Sequence, residues 1–184
     1  MKVLPLALGL AVVAIPSVPA FGSALSLNKS LATACYESAT VSRPAWDAIR
    51  VCDLALSEEL MTRDTRVATL VNRAIVRMKQ GDSRTANGDF NRALALEPTE
   101  PEIWLNMGLA QLDAGNGSVA VQMADRALEL RTERPAVAYY VRGLAREMSG
   151  DVSSAYADLV KARSLDPEWE QPALELTRYR VTRR

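Results

Sequence analysis

The sequence predicts an all-α solenoid of stacked helix–turn–helix units, closed by a C-terminal cap helix. Three observations carry this. Small residues recur in register 34 or 35 residues apart: Ala74, Gly108 and Gly143; Ala86, Ala120 and Ala155; Ala93, Ala127 and Ala162. Each copy holds two runs with apolar residues three and four apart, the period of a helix with one buried face. Between the two runs stands a glycine, at 81, 115 and 150, in the turns QGDS, AGNG and SGDV. A helix C-terminus favours a residue free to take positive φ there. A fixed period of this length marks a repeat array, in which each unit buries its apolar face against the next.

The elements follow in chain order. Residues 1–24 read as a secretory signal peptide. Lys2 precedes an apolar run from Val3 to Ile15, and the small residues beyond it suit cleavage after Ala20 or after Ala24. The run falls short of the roughly 20 residues of a membrane span. A retained anchor in the inner membrane is the alternative to cleavage. The short signal is of bacterial type, which makes the periplasm the expected address.

Residues 29–62 read as a degenerate N-terminal hairpin. Ala48 and Ala55 fall in the alanine columns, and Pro44 opens the second helix. Cys35 and Cys52 both fall on the seam between its helices. An even pair in an oxidising compartment is a disulfide candidate; two free buried thiols are the alternative. A lipidated Cys35 fits poorly. Ala32 stands where a large aliphatic is expected, and Lys29 separates the cysteine from the apolar run.

Three full units occupy 67–100, 101–134 and 136–169, with Pro135 as a one-residue insertion. Pro98 and Pro167 end second helices. Thr99 with Glu102 reads as a capping box opening the middle unit. Residues 170–184 read as a solvating cap helix and tail, with Arg178, Arg180, Arg183 and Arg184 in water.

These residues resemble the tetratricopeptide repeat (TPR), whose pattern is a large residue, Leu-Gly, an aromatic, two alanines and a closing proline. The middle unit shows Trp104, Met107, Gly108, Ala120 and Ala127. The first has Leu70, Ala74, Ala86, Phe90, Ala93 and Pro98. The third has Tyr139, Gly143, Ala155, Leu159, Ala162 and Pro167. Arg77, Gln111 and Arg146 replace the usual aromatic late in the first helix, which is expected to loosen packing between units there. The resemblance covers 67–169. It implies that Gly108 lies against Ala120, so that the ~1 kcal/mol helix cost of glycine is offset by close packing.

The resemblance also implies a concave binding groove. Its lining would be Val71, Asn72, Ile75 and Met78, then Leu105, Asn106, Leu109 and Leu112, then Val137, Tyr140, Leu144 and Met148. Family members that grip a carboxylate place Lys, Arg and Asn on this face. Here only Asn72 and Asn106 remain, so a carboxylate clamp is not expected. An apolar groove suits an amphipathic helix or a second copy of the chain, although each leucine could equally pack between units.

Composition narrows the function classes. Lysine plus arginine equals aspartate plus glutamate at 22 each, so no global field attracts nucleic acid. Histidine is absent, which removes the commonest general base and metal ligand. Two seam-facing cysteines do not make a zinc site, and the glycines are turn and packing positions rather than a phosphate loop. The expected function is a non-enzymatic protein- or peptide-binding module of the cell envelope, with no cofactor, metal or small-molecule substrate. The alternative is a structural homo-oligomer, a homodimer for instance, whose groove a second copy fills.

Overall fold

The structure, a computed structural model, describes residues 29–180; the signal expected at 1–24 and residues 181–184 lie outside the described residues. The described chain is all-helical: α1 (Leu31–Thr40), α2 (Ala48–Glu58), α3 (Arg63–Lys79), α4 (Ser83–Leu96), α5 (Pro101–Asp113), α6 (Gly117–Glu129), α7 (Pro135–Met148), α8 (Val152–Leu165) and α9 (Glu170–Leu176). Helices pack as successive hairpins, α1 with α2 through α7 with α8, and each hairpin leans on the next. The first helices α1, α3, α5 and α7 also touch in sequence. This is the expected helical solenoid, and α9 lies against α8 at its end.

Local chemistry sets the boundaries. Side chains of Ser30, Thr62, Asp82 and Asp151 accept from backbone N–H groups three residues on, satisfying donors left free at helix starts. At the other ends, Gly81, Gly115 and Gly150 have φ of 85°, 79° and 83°. They close six-residue turns in which Asp82 N donates to Arg77 O at 2.8 Å, Asn116 N to Gln111 O at 2.8 Å, and Asp151 N to Arg146 O at 3.0 Å. The same closure recurs after α6, from Thr132 N to Ala127 O at 3.0 Å, but there Arg131 takes the left-handed conformation at φ 62°.

Two boundaries differ from expectation. The second helix starts at Ala48 rather than Pro44, because a turn over 45–47 precedes it, with Ala48 N donating to Ala45 O at 3.0 Å. The α5 cap is Glu100, not Thr99. Pro101 sits at the first helical position with its preset φ, which places the cap one residue before it.

Two hydrophobic cores meet at α5. Ile103, Met107 and Ala110 join the core built by α1 to α4, whereas Leu105, Leu109 and Leu112 join the core of α6 to α8. At the N-terminal end the Sγ atoms of Cys35 and Cys52 lie 2.04 Å apart, bonding α1 to α2, and both residues are fully buried.

Candidate functional site

Nine of the twelve side chains expected on the concave face are buried: Val71, Asn72, Ile75, Leu105, Asn106, Leu109, Leu112, Tyr140 and Leu144. Met78 and Val137 are half-buried. Met148 is 51% exposed. The cause is the side-by-side packing of the first helices, since a residue that faces the hollow also faces the neighbouring helix. Asn106 spends its amide on the Glu102 carbonyl one turn back, at 2.9 Å. Glu102 itself binds the α6–α7 loop, accepting from Glu133 N at 3.2 Å and from the Thr132 hydroxyl. Accessible side chains along this face lie at its rim: Met78, Lys79 and Val137 half-buried, Asp113 and Met148 exposed.

The C-terminal helix closes over the last unit. The Tyr140 ring lies 4.8 Å from that of Trp169, and its hydroxyl donates to Glu175 Oε1 at 3.4 Å. Burial, and then the Glu175 carboxylate, raise the Tyr140 phenol well above its ordinary range. Arg178 reaches Glu147 at 2.8 Å and also pairs with Glu175, so the start of the tail is pinned rather than purely solvated.

Two of the three positions that lack the family aromatic, Arg77 and Arg146, are braced rather than loose. In α3, Arg73 donates from Nε to Asp89 Oδ2 at 2.9 Å and from Nη2 to Asp89 Oδ1 at 2.5 Å, while Nη1 reaches Asp53 of α2 at 2.6 Å. Arg77 donates to the same Asp89 at 2.5 Å. The arrangement recurs in α7 and α8. Arg142 holds Asp158 at 2.9 and 2.7 Å and Asp125 of α6 at 2.6 Å, and Arg146 donates to Asp158 at 2.7 Å. Each brace ties both helices of a unit to the second helix of the unit before. The middle unit has Met107, Gln111 and Met123 in these columns, with Gln111 donating to Asn87 at 3.2 Å.

Sequence reasoning missed these braces, although a signal existed. Arginines four apart, at 73/77 and 142/146, each precede an aspartate 16 residues after the first of them, at 89 and 158. The braced joints differ in one place. In α7 the Tyr139 ring covers the guanidinium of Arg142, 5.0 Å from its carbon. In α3 the same column holds Leu70, and a cleft of about 460 Å³ opens beside Arg73.

A stacked series of two-helix units, with no sheet among the described residues, defines a helical repeat scaffold. The tetratricopeptide-repeat profile matches residues 71–135 and 105–167, and the chain belongs to that family. Members of this family are protein–protein interaction modules. The chain is similar to "FK506-binding protein-like" of Mus musculus, 31% identical over 142 residues, covering 75% of this chain and 39% of that one. The counterpart of the same description from Rattus norvegicus is 32% identical over 142 residues with the same coverage. The chain thus spans 39% of the length of these curated relatives. Among solved structures it resembles "MamA RS-1 ArsTM double mutant", with a TM-score of 0.61 and 23% identity, covering 71% of this chain and 70% of that one. A likeness at that identity speaks to the fold.

Proposed function

We infer that this chain is a non-enzymatic module of the cell envelope that holds a protein or peptide against its concave face. The observation that carries the reading is the unbroken stack of TPR units from 67 to 169, a family architecture built to present a surface to other chains. The rim side chains Met78, Val137 and Met148 supply apolar contact on that face, and methionine adapts to varied partners. Export is supported by the Lys2 to Ala24 pattern and by a bonded cysteine pair, which suits an oxidising compartment.

The test places a photo-cross-linking residue at Met148 and, separately, at Val160, an exposed residue of α8, in the chain expressed with its N-terminal segment. A discrete protein adduct from position 148 and none from 160 supports the reading. Adducts from 160 alone move the binding surface off the concave face. Adducts that are only copies of this chain make it a self-assembling protein, which sedimentation at several concentrations would register as well. Fractionation of the same cells locates the chain, and recovery in the cytoplasm would contradict the envelope assignment.

A further inference from the structure

We propose that the cleft between α2 and α4 receives an aromatic side chain from an acidic segment of a partner protein. This rests on the reading of the chain as a protein-binding module but not on its concave face. The cleft is floored by α3 and walled by the second helices of adjacent units, with Leu56, Leu70 and Leu96 as its apolar surface and Arg66, Arg73 and Arg92 around it.

The molecule itself shows what fits there. Leu70, Arg73, Arg77 and Asp89 stand 69 residues before Tyr139, Arg142, Arg146 and Asp158. The two ion-pair braces match bond for bond, so the two sites share one backbone frame. At the later site a tyrosine ring lies over the arginine. At the earlier site the shorter Leu70 stands in that column, and it lines the cleft together with Arg73. Arg73 Nε, Nη1 and Nη2 each donate to a carboxylate in the guanidinium plane. The cleft reaches the exposed 9% of the Arg73 side chain, and stacking is the interaction arginine makes through its flat faces.

Charge selects what flanks the ring. Arg66, Arg73, Arg77 and Arg92 gather at this joint, where Asp53 and Asp89 pair with Arg73 and Arg77 and Asp89 also reaches Arg92. Arg92 is 71% exposed at the side chain, and Arg66 is held only by the Leu56 carbonyl at 3.2 Å. Acidic residues beside the incoming aromatic would meet these two arginines, whereas basic ones would be repelled. At about 460 Å³ the cleft is large enough for a tyrosine or phenylalanine side chain together with part of a flanking residue.

The probe is the blocked peptide acetyl-Glu-Glu-Tyr-Glu-Glu-amide, compared with its Tyr-to-Ala counterpart. The readout is NMR of the full chain, following the Arg73 Nε–H signal and the methyls of Leu70, Leu96 and Met148. We expect saturable, ring-current shifts at Leu70 and Leu96, and at least about tenfold weaker binding of the alanine peptide. The Leu70→Tyr variant fills the cleft from within and should lose about tenfold in affinity without a lower melting temperature. The Tyr139→Leu variant should open the matching site and add shifts at Arg142. Equal shifts from both peptides would mean charge alone acts, and the proposal fails. Shifts confined to Met148 would also defeat it while leaving the concave-face reading intact. Should Leu70→Tyr fold poorly, an unaltered Arg142 signal in Tyr139→Leu at saturating peptide still refutes the inference.

Discussion

Alanine at Gly108 and alanine at Gly143 should move stability in opposite directions, although both glycines occupy one column of the repeat. Both are buried inside a first helix. Each replacement gains about 1 kcal/mol of helix propensity. At 108 the added Cβ would meet Met123 Cβ at 3.4 Å, Val141 Cγ1 at 3.5 Å and Ala120 O at 3.6 Å, all ordinary contacts. The gain survives there, and Ala74 already fills the equivalent place in the first unit. At 143 the Cβ would lie 3.1 Å from Leu159 Cγ, 3.2 Å from Ala155 O and 3.3 Å from Asp158 Cβ. A carbonyl and a braced aspartate cannot step aside alone, so α8 must shift. Overpacking of this kind costs about 1–3 kcal/mol. We expect Gly108→Ala to add about 1 kcal/mol, or about 2–4 °C in Tm for a chain of this size. We expect Gly143→Ala to lose about 1–2 kcal/mol net. Gly108→Leu should also destabilise, because its outer carbons would run into Met123 and Val141. Urea unfolding with unchanged m-values reads all three. If the two alanine variants shift in the same direction, the account of how closely the helices approach is wrong.

Four further outcomes follow from the same geometry. Asp89→Ala removes the buried carboxylate that Arg73 and Arg77 share, leaving the buried Arg73 guanidinium to the half-exposed Asp53, and should cost about 3–5 kcal/mol, whereas Asp125→Ala, at a site 40% exposed, should cost under about 1 kcal/mol; urea midpoints compare them. Arg131→Gly relieves a left-handed backbone at an exposed position and should raise stability by about 1 kcal/mol, seen as a higher thermal midpoint. Opening the Cys35–Cys52 bond, which spans 17 residues of sequence, should cost about 3 kcal/mol, with hydrogen-exchange protection lost mainly in α1 and α2. The Tyr140 phenol is raised in the folded chain, while the unfolded chain ionises near pH 10. Its contribution is therefore complete below about pH 10 and declines above it, as the unfolded state sheds a proton that the fold retains. Tyr140→Phe should flatten that alkaline decline in pH-dependent urea midpoints.

The repeat was legible because its signals are backbone requirements. A positive φ at 81, 115 and 150 and close helix approach at 108 and 143 restrict the residue type, so they leave a periodic trace. The braces were less legible. Arg77 and Arg146 stand where the family carries an aromatic, and their aspartate partners lie on another helix. Spacing places Leu105 or Ile75 on the hollow side of a helix but cannot say how near the next helix stands. That distance decides between groove and seam, and here it buries most of the expected lining. Capping at Glu100 turned on Pro101, a local conformational preference that outweighed the Thr99–Glu102 pattern.

The uneven distribution of the ion pairs has a mechanical consequence. Arginine–aspartate pairs stiffen the α2–α3 and α6–α7 joints, while α4 meets α5 through sparser packing than any other consecutive described helices. Methionine thioethers and one amide contact line that middle joint, and neither fixes an angle as a bidentate pair does. Tension or torque along the array would concentrate there, letting two stiff halves swing as levers about α5. The superhelix can then change its pitch at one place without breaking a single charged contact.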